Sequence, residues 1–261
     1  MKNAELLNVM TKYEIISVIL SIIALVISIL IPFIQWIYRE KRKAILKFYP
    51  TGRVILYTNR SGSYLRLDGV FEALKKPVSL KKLSIVVNRE KDDQKLKLEW
   101  FKFYSPTTQN LMGIQAQAEE LAHPFRIDAD HVACAFVEFF EPMGSAEKAI
   151  KPKFDKLVDK CRNISINRTD FDSVEKELVS SDAYKEAKKA IEKELFWEIG
   201  EYHSVISASF EDHIVEFVVN FNVSESQYIQ FVNEIKEILI SPLKDRCNVR
   251  YIYHPVVTDV K

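Results

Sequence analysis

Glycine is scarce in this chain, and the few glycines stand alone. Six occur among 261 residues, and none belongs to the lysine-containing loop that cradles phosphates in common nucleotide hydrolases. The GlyXSerXGly and HisGluXXHis patterns of two large hydrolase classes are absent as well. The sequence therefore predicts a protein that is not an enzyme, with no catalytic, cofactor-binding or metal-binding residues.

Cysteine is also rare, and its spacing predicts no disulfide framework or metal site. The three cysteines form no CysXXCys pair: Cys134, Cys161 and Cys247. Cys134 lies in the apolar run AlaCysAlaPheVal, which predicts a buried structural thiol. Residues 128–131 and the pair His203 and His213 could supply metal ligands, but we interpret them as turn and surface residues.

Charge is missing from a long segment near the N-terminus. The 24 residues from Ile15 to Tyr38 carry no charged side chain. As a helix they span about 36 Å, enough to cross a hydrocarbon core of about 30 Å. The run ends in aromatic and basic residues rather than a small-residue cleavage site, so we expect a permanent anchor. The predicted segments are a short N-terminal stretch (1–14), a transmembrane helix (15–38) and a basic juxtamembrane stretch (39–47).

Basic residues are concentrated on one side of this helix. Two lysines precede it, and five basic residues follow it closely: Arg39, Lys41, Arg42, Lys43 and Lys47. Cytoplasmic flanks carry the excess of Lys and Arg in single-span proteins. We therefore predict a single-pass protein of the inner (plasma) membrane with its C-terminal domain in the cytoplasm.

One face of the predicted helix is small and polar. Residues at spacings of 4, 3, 4 and 7 share this face: Ser17, Ser21, Ala24, Ser28 and Gln35. Small residues let helices approach closely, and hydroxyl or amide groups can bond across a helix pair, so this face predicts a homo-oligomer. The alternative is that each serine bonds a carbonyl of its own helix.

The remaining charge is unevenly distributed. Residues 39–103 carry 17 basic and 7 acidic side chains, whereas residues 104–261 carry 18 and 27. The basic part is predicted to contact membrane lipid or an anionic ligand such as a nucleotide or nucleic acid. The candidate contacts are Arg39, Lys41, Arg42, Lys43, Arg60, Tyr64, Arg66, Lys75, Lys76, Lys81, Lys82, Lys95 and Lys97.

Apolar patterning after the juxtamembrane stretch predicts a soluble α+β domain. Strand patterns occur at 44–49, 53–58, 64–71, 78–88, 95–103 and 131–140. They predict a β-rich part over 44–142, either an immunoglobulin-like antiparallel β-sandwich or a small barrel.

A helical segment is inserted in or appended to this β-rich part. Amphipathic spacing predicts it over 145–200, divided near 180–182. Strands at 204–210, 213–222 and 248–253, with a helix capped by Ser224 and Gln227, predict a ββαβ segment over 201–261 that packs with the β-rich part.

Three functions are compatible with these features. The favoured one is a non-enzymatic membrane protein whose cytoplasmic domain recognises a ligand or a protein partner and whose helix self-associates. This layout resembles that of membrane-disrupting effectors of bacterial antiviral defence. The alternatives are a passive membrane-anchored scaffold or adaptor subunit of a protein complex, and an enzyme of an unfamiliar family.

Overall fold

A computed structural model describes residues 12–111, 114–141, 144–166, 170–247, 249 and 255–261. In these residues one long helix precedes ten strands and four further helices. The helices are α1 (Lys12–Lys41), α2 (Ser145–Ile164), α3 (Phe171–Ser180), α4 (Asp182–Lys193) and α5 (Glu225–Arg246). The strands are β1 (Ile45–Asn59), β2 (Gly62–Leu74), β3 (Val78–Arg89), β4 (Gln94–Leu111), β5 (Ile114–Leu121), β6 (Phe125–Ile127), β7 (His131–Phe140), β8 (Gly200–Phe210), β9 (His213–Val223) and β10 (Val256–Asp259).

The described strands form one antiparallel sheet that curls strongly into a half-barrel. The strand order is β10-β1-β2-β7-β4-β3-β8-β9, with β5 paired to β4 and β6 paired to β3. The two ends of the sheet approach each other, since Phe221 of β9 bridges Val260 and Thr258 Oγ1 donates to the Asn222 carbonyl at 2.6 Å. The α+β prediction is confirmed. An immunoglobulin-like sandwich is not confirmed, because the strands share one hydrogen-bonded sheet.

Two local features accompany the curl of the sheet: a shift in the register of β1 and β2, and a close approach of a glycine to an aromatic ring. The pairing of β1 with β2 shifts between Pro50 and Val54, and such bulges increase the local twist. Gly69 of β2 lies under the ring of Phe48, where a Cβ atom would be 2.3 Å from the ring. The Phe48 ring can therefore lie against Phe217 of β9, with ring centroids 5.8 Å apart, and this contact brings the two sides of the sheet together.

The helices α2 to α5 form a layer that packs on the sheet. Helix α2 contacts α4 and α5, and α5 contacts β1. The loop between α4 and β8 inserts Trp197, which is fully buried and donates from Nε1 to the Tyr57 carbonyl at 3.2 Å. This layer and the inner face of the sheet share one hydrophobic core.

The local secondary structure agrees with most sequence patterns and differs from some of them. The predicted break near 180–182 and the capping box of Ser224 and Gln227 are confirmed. The predicted strands 44–49 and 53–58 are one strand, β1, because the intervening turn residues form a bulge within the sheet. Strands β5 and β6 were not predicted. Most of the strand predicted at 248–253 lies outside the described residues, and the described C-terminal strand is β10.

Candidate membrane-facing site

Helix α1 has the dimensions and surface of a membrane span. Among the described residues, one helix is long and apolar enough to cross a bilayer, by length and composition, and its span is Ile16–Tyr38. No part of this span is buried by the rest of the described chain. Its large apolar side chains, Leu25 and Ile29 among them, are exposed, so the helix presents a long apolar surface.

Two serines of the small polar face of α1 form hydrogen bonds within the helix itself. Ser21 Oγ donates to the Ser17 carbonyl and Ser28 Oγ donates to the Leu25 carbonyl, both at 2.8 Å. All five residues predicted for the association face are exposed. The hydroxyls of Ser21 and Ser28 therefore need no second chain as acceptor, and self-association through this face stays a prediction that the small size of its residues supports.

Strand directions define two ends of the sheet. Strand β1 begins just after α1, and the strand register aligns its first residue with Leu74, the end of β2. The starts of β3 and β7 and the turn between β8 and β9 lie at this same end, which we call the α1 end. The opposite end, called the far end, contains the β1–β2 turn, the β3–β4 turn and the last residues of β7.

A groove separates α1 from the α1 end of the sheet. It has a volume of about 890 Å³. Four parts of the chain supply the side chains that define this juxtamembrane groove. They are α1 (Gln35 and Tyr38), the segment just after α1 (Arg42), the β2–β3 turn (Lys75 and Lys76) and the β6–β7 turn (Asp130). The Arg42 guanidinium carbon lies 4.9 Å from the centre of the Tyr38 ring, so one side of the groove is formed by a cation–π pair.

Two residues of this groove have a left-handed backbone that non-glycine residues seldom adopt. Lys75 has φ 70° and Asp130 has φ 59°. The two turns are tied together, because Lys75 N–H donates to Asp130 Oδ1 at 3.2 Å and Asp130 N–H donates to the Ala73 carbonyl at 2.7 Å. Strained backbone of this kind persists only where neighbouring contacts hold it, and it is concentrated at functional sites.

The structure divides the predicted basic contacts between the two ends. Lys43 precedes β1 at the α1 end, and Lys81 near the start of β3 donates to the Glu211 carbonyl of the β8–β9 turn at 3.1 Å. Lys82 pairs with Glu99 at 2.9 Å, and Lys41 is exposed at the end of α1. The side chain of Arg39 lies outside the described residues.

The far end holds the other basic candidates. Arg60 is in the β1–β2 turn. Lys95 and Lys97 pair with Asn88 and Val86, near the end of β3 that lies at the far end of the sheet. Asn88, the partner of Lys95, comes ten residues after Val78, where β3 begins at the α1 end. Lys95 therefore lies about 33 Å along the strand from the α1 end. No single surface therefore contains the whole predicted set.

Tyr64 and Arg66 are not available to a ligand in the way the sequence pattern predicted. Tyr64 is 7% exposed and stacks between Tyr57 and Phe140, with ring centroids 4.7 and 4.2 Å away. Arg66 binds Asp68 at 2.8 Å and lies 4.3 Å from the Tyr104 ring. Alternation along β2 placed both on the outer face, but neighbouring strands cover that face with aromatic rings.

One buried carboxylate was missed by the sequence analysis. Glu138 of β7 is buried and accepts a hydrogen bond from Tyr104 Oη at 2.6 Å. Burial and this hydrogen bond raise the pKa of Tyr104, so the phenol stays protonated and donates to Glu138. Burial, followed by the Glu138 charge, also raises the pKa of Tyr57. The only signal in the sequence was one acidic residue within an apolar run.

The histidines and aspartates considered as metal ligands have other roles. His203 pairs with Asn220, whereas His213 pairs with Phe210, about 23 Å further along β8, so the two imidazoles do not meet. Asp128 binds Arg126 at 3.1 Å, as expected of a turn residue. Within the part of the chain that the structure describes, no group of three His, Cys, Asp or Glu side chains could hold a metal ion.

Comparison with known proteins finds distant structural likeness without a matching family. No family model matches this chain, and no curated protein matches it. Among solved structures it is similar to a family 123 glycoside hydrolase from Clostridium perfringens, described in a study of glycolipid glycan hydrolysis, with 10% identity and a TM-score of 0.30. The match covers 70% of this chain and only 27% of the length of the hydrolase.

This likeness corrects the prediction that the chain is not an enzyme, because the solved structure that it matches belongs to an enzyme. A TM-score of 0.30 carries no argument about which reaction, if any, this chain performs.

Proposed function

We propose that this chain is a single-span membrane protein whose C-terminal domain rests on the cytoplasmic surface of the membrane through its α1 end. The apolar surface of α1 supports the span, and the basic residues that follow it support the cytoplasmic placement. The far end then faces away from the bilayer and is the surface that recognises a protein partner or an anionic ligand.

The single observation that carries this proposal is the division of the basic residues by strand direction. Lys95 lies about 33 Å along the strand from the α1 end, or about 25 Å in height if the strands tilt by about 40°. Electrostatic attraction to an anionic leaflet decays over a Debye length of about 8 Å. Lys43 and Lys81 at the α1 end are therefore within reach of the lipid, and Lys95 and Lys97 are not.

Neutralising lysines at the α1 end is expected to release the domain from an anionic membrane. Each Lys near the surface contributes about 1 kcal/mol, so Lys43→Gln with Lys81→Gln should weaken docking by about 2 kcal/mol, or roughly 30-fold in the docking equilibrium. The matched control is Lys95→Gln with Lys97→Gln, which removes the same charge at the far end.

Docking can be measured with a dye on the exposed thiol of Cys134 in a Cys247→Ser chain. The full chain is placed in phosphatidylcholine nanodiscs with or without phosphatidylglycerol, and quenching by headgroup-labelled lipid is recorded. We expect strong quenching only with phosphatidylglycerol, and its loss in the α1-end variant alone. Equal quenching in both variants would contradict the proposal.

Self-association through α1 is a second part of the proposal. Ser21→Leu with Ser28→Leu should abolish a chemical crosslinking ladder of the full chain in detergent, because leucine keeps the helices apart on this face. The control, Ile19→Leu with Val26→Leu, changes the opposite face of the helix and should leave the ladder intact. A ladder that persists in the serine variant would show that this face does not mediate assembly. The membrane-disrupting effector remains a prediction built on this assembly, and the passive scaffold or adaptor subunit remains the alternative to it.

A further inference from the structure

We propose that the juxtamembrane groove binds the phosphate-bearing headgroup of one anionic lipid. This inference rests on the proposed function, since it requires α1 to span a bilayer. It goes beyond diffuse attraction between the basic domain and the leaflet, because it assigns one lipid molecule to a defined place.

The charges of the groove suit a phosphate. Three basic side chains, Arg42, Lys75 and Lys76, line it together with one carboxylate, that of Asp130. An arginine can bind two phosphate oxygens with its planar guanidinium, and lysines add compact charges that suit the remaining oxygens. The Asp130 carboxylate already accepts the Lys75 N–H, so one of its oxygens is engaged within the protein.

The groove lies at the depth where headgroups are found. Tyr38 is the last residue of the apolar span, and Gln35 is one turn further in. Tyrosine at the end of a span lies at headgroup level. A lipid phosphate beside Tyr38 could contact the basic side chains, while its acyl chains stay in the bilayer along the exposed apolar surface of α1. A volume of about 890 Å³ is ample for the phosphate and its glycerol.

Hydrogen bonds from backbone N–H groups fix the two turns that carry Lys75, Lys76 and Asp130 before any lipid arrives. The Lys76 N–H donates to the Leu74 carbonyl at 2.9 Å across Lys75, which closes a tight turn around the left-handed residue. Bonds from Asp130 and Lys75 hold the neighbouring turn against it. A turn whose backbone is already fixed loses less entropy on binding than a loose one, which favours one specific lipid position over many.

Native mass spectrometry of the detergent-solubilised full chain tests this inference. Phosphatidylglycerol and phosphatidylcholine are titrated separately, and the number of retained lipids per chain is counted. We expect one tightly retained phosphatidylglycerol and no comparable retention of phosphatidylcholine. The triple variant Arg42→Gln, Lys75→Gln, Lys76→Gln should weaken that retention at least about tenfold.

Two further variants separate a site from a general loss of charge. The variant Arg60→Gln, Lys95→Gln, Lys97→Gln removes one arginine and two lysines at the far end and should retain the lipid like the unmodified chain. Asp130→Asn keeps a side-chain oxygen for the Lys75 N–H and tolerates the left-handed backbone, but removes the acidic charge. It should therefore strengthen lipid retention, an outcome that misfolding would not produce.

Several outcomes would overturn the inference. They are equal losses in the two triple variants, no gain with Asp130→Asn, or displacement of the lipid by millimolar inorganic phosphate, which would identify a site for a soluble anion. If the dye on Cys134 still reports docking while no lipid is retained stoichiometrically, the headgroup site fails and the proposed function stands. If docking also fails, the proposed function fails with it.

Discussion

Replacing Arg89 with methionine is expected to lower the free energy of unfolding by about 2 to 4 kcal/mol, the largest effect of a single substitution that we predict. Arg89 is buried at the far end of β3 and donates from Nη1 to the Phe196 carbonyl at 2.8 Å. Its Nε and Nη2 atoms donate to the two carboxylate oxygens of Asp92 at 2.9 and 2.7 Å. Methionine would leave the Phe196 carbonyl without its donor and detach the loop that carries Trp197.

The expected cost is at the lower part of the range for buried ion pairs because Asp92 is about a third exposed. Its side chain is 35% accessible, so its carboxylate can be hydrated once Arg89 is gone. The hydrogen bond from Arg89 lowers the pKa of Asp92. This stabilisation is present above the unfolded value of about 3.9 and is lost as the pH falls through the lower folded value. The variant should lack that component of acid sensitivity.

Urea unfolding of the full chain in non-ionic detergent, followed by tryptophan fluorescence, measures this effect. The control is Lys91→Met, which removes the ion pair between Lys91 and Glu198. This pair is exposed, its two charged atoms are 3.3 Å apart, and Glu198 belongs to the loop that carries Trp197. An exposed pair contributes about 0 to 1 kcal/mol, so the control should unfold close to the unmodified chain. Similar urea midpoints for the two variants would contradict the prediction that the buried Arg89 stabilises the folded chain more than the exposed Lys91 does.

The second large effect concerns the cysteines, which should differ in thiol reactivity by about three orders of magnitude. Cys161 of α2 is fully buried, and burial raises its pKa to about 11. At pH 8 roughly one Cys161 thiol in a thousand is then ionised, and its sulfur is also shielded. Cys134 is exposed and should react rapidly, which corrects the prediction that it is a buried structural thiol.

Maleimide labelling with mass-spectrometric site assignment checks this expectation. In a Cys247→Ser chain, Cys134→Ala should remove the fast phase, whereas Cys161→Ala should leave it unchanged, and urea should make Cys161 reactive. The protonated Cys161 is favoured in the folded chain, so its contribution to stability is complete below about pH 9 and is lost as the pH rises towards about 11. Rapid native labelling of Cys161 would contradict the burial on which both statements depend.

The Cys134 error illustrates how a sequence pattern can mislead in a curled sheet. The apolar run AlaCysAlaPheVal predicted a buried thiol, and the inner face of β7 is indeed buried at Ala135 and Val137. On the outer face, stacked aromatic rings cover β7 near the far end, where Phe140 lies close to Tyr64. Cys134 lies nearer the α1 end, where the outer face is open.

The sequence by itself determined the apolar helix, most strands, the amphipathic helices and the Ser224 cap, since these depend on periodicity and on neighbours within a few residues. It also supplied the basic residues of both ends, but as one undivided set. Only the tertiary structure decided that Arg42, Lys75, Lys76 and Asp130 line one groove while Arg60, Lys95 and Lys97 lie at the opposite end. The physical reason is that strand order and register set these distances, and both arise from hydrogen bonds between segments far apart in the chain.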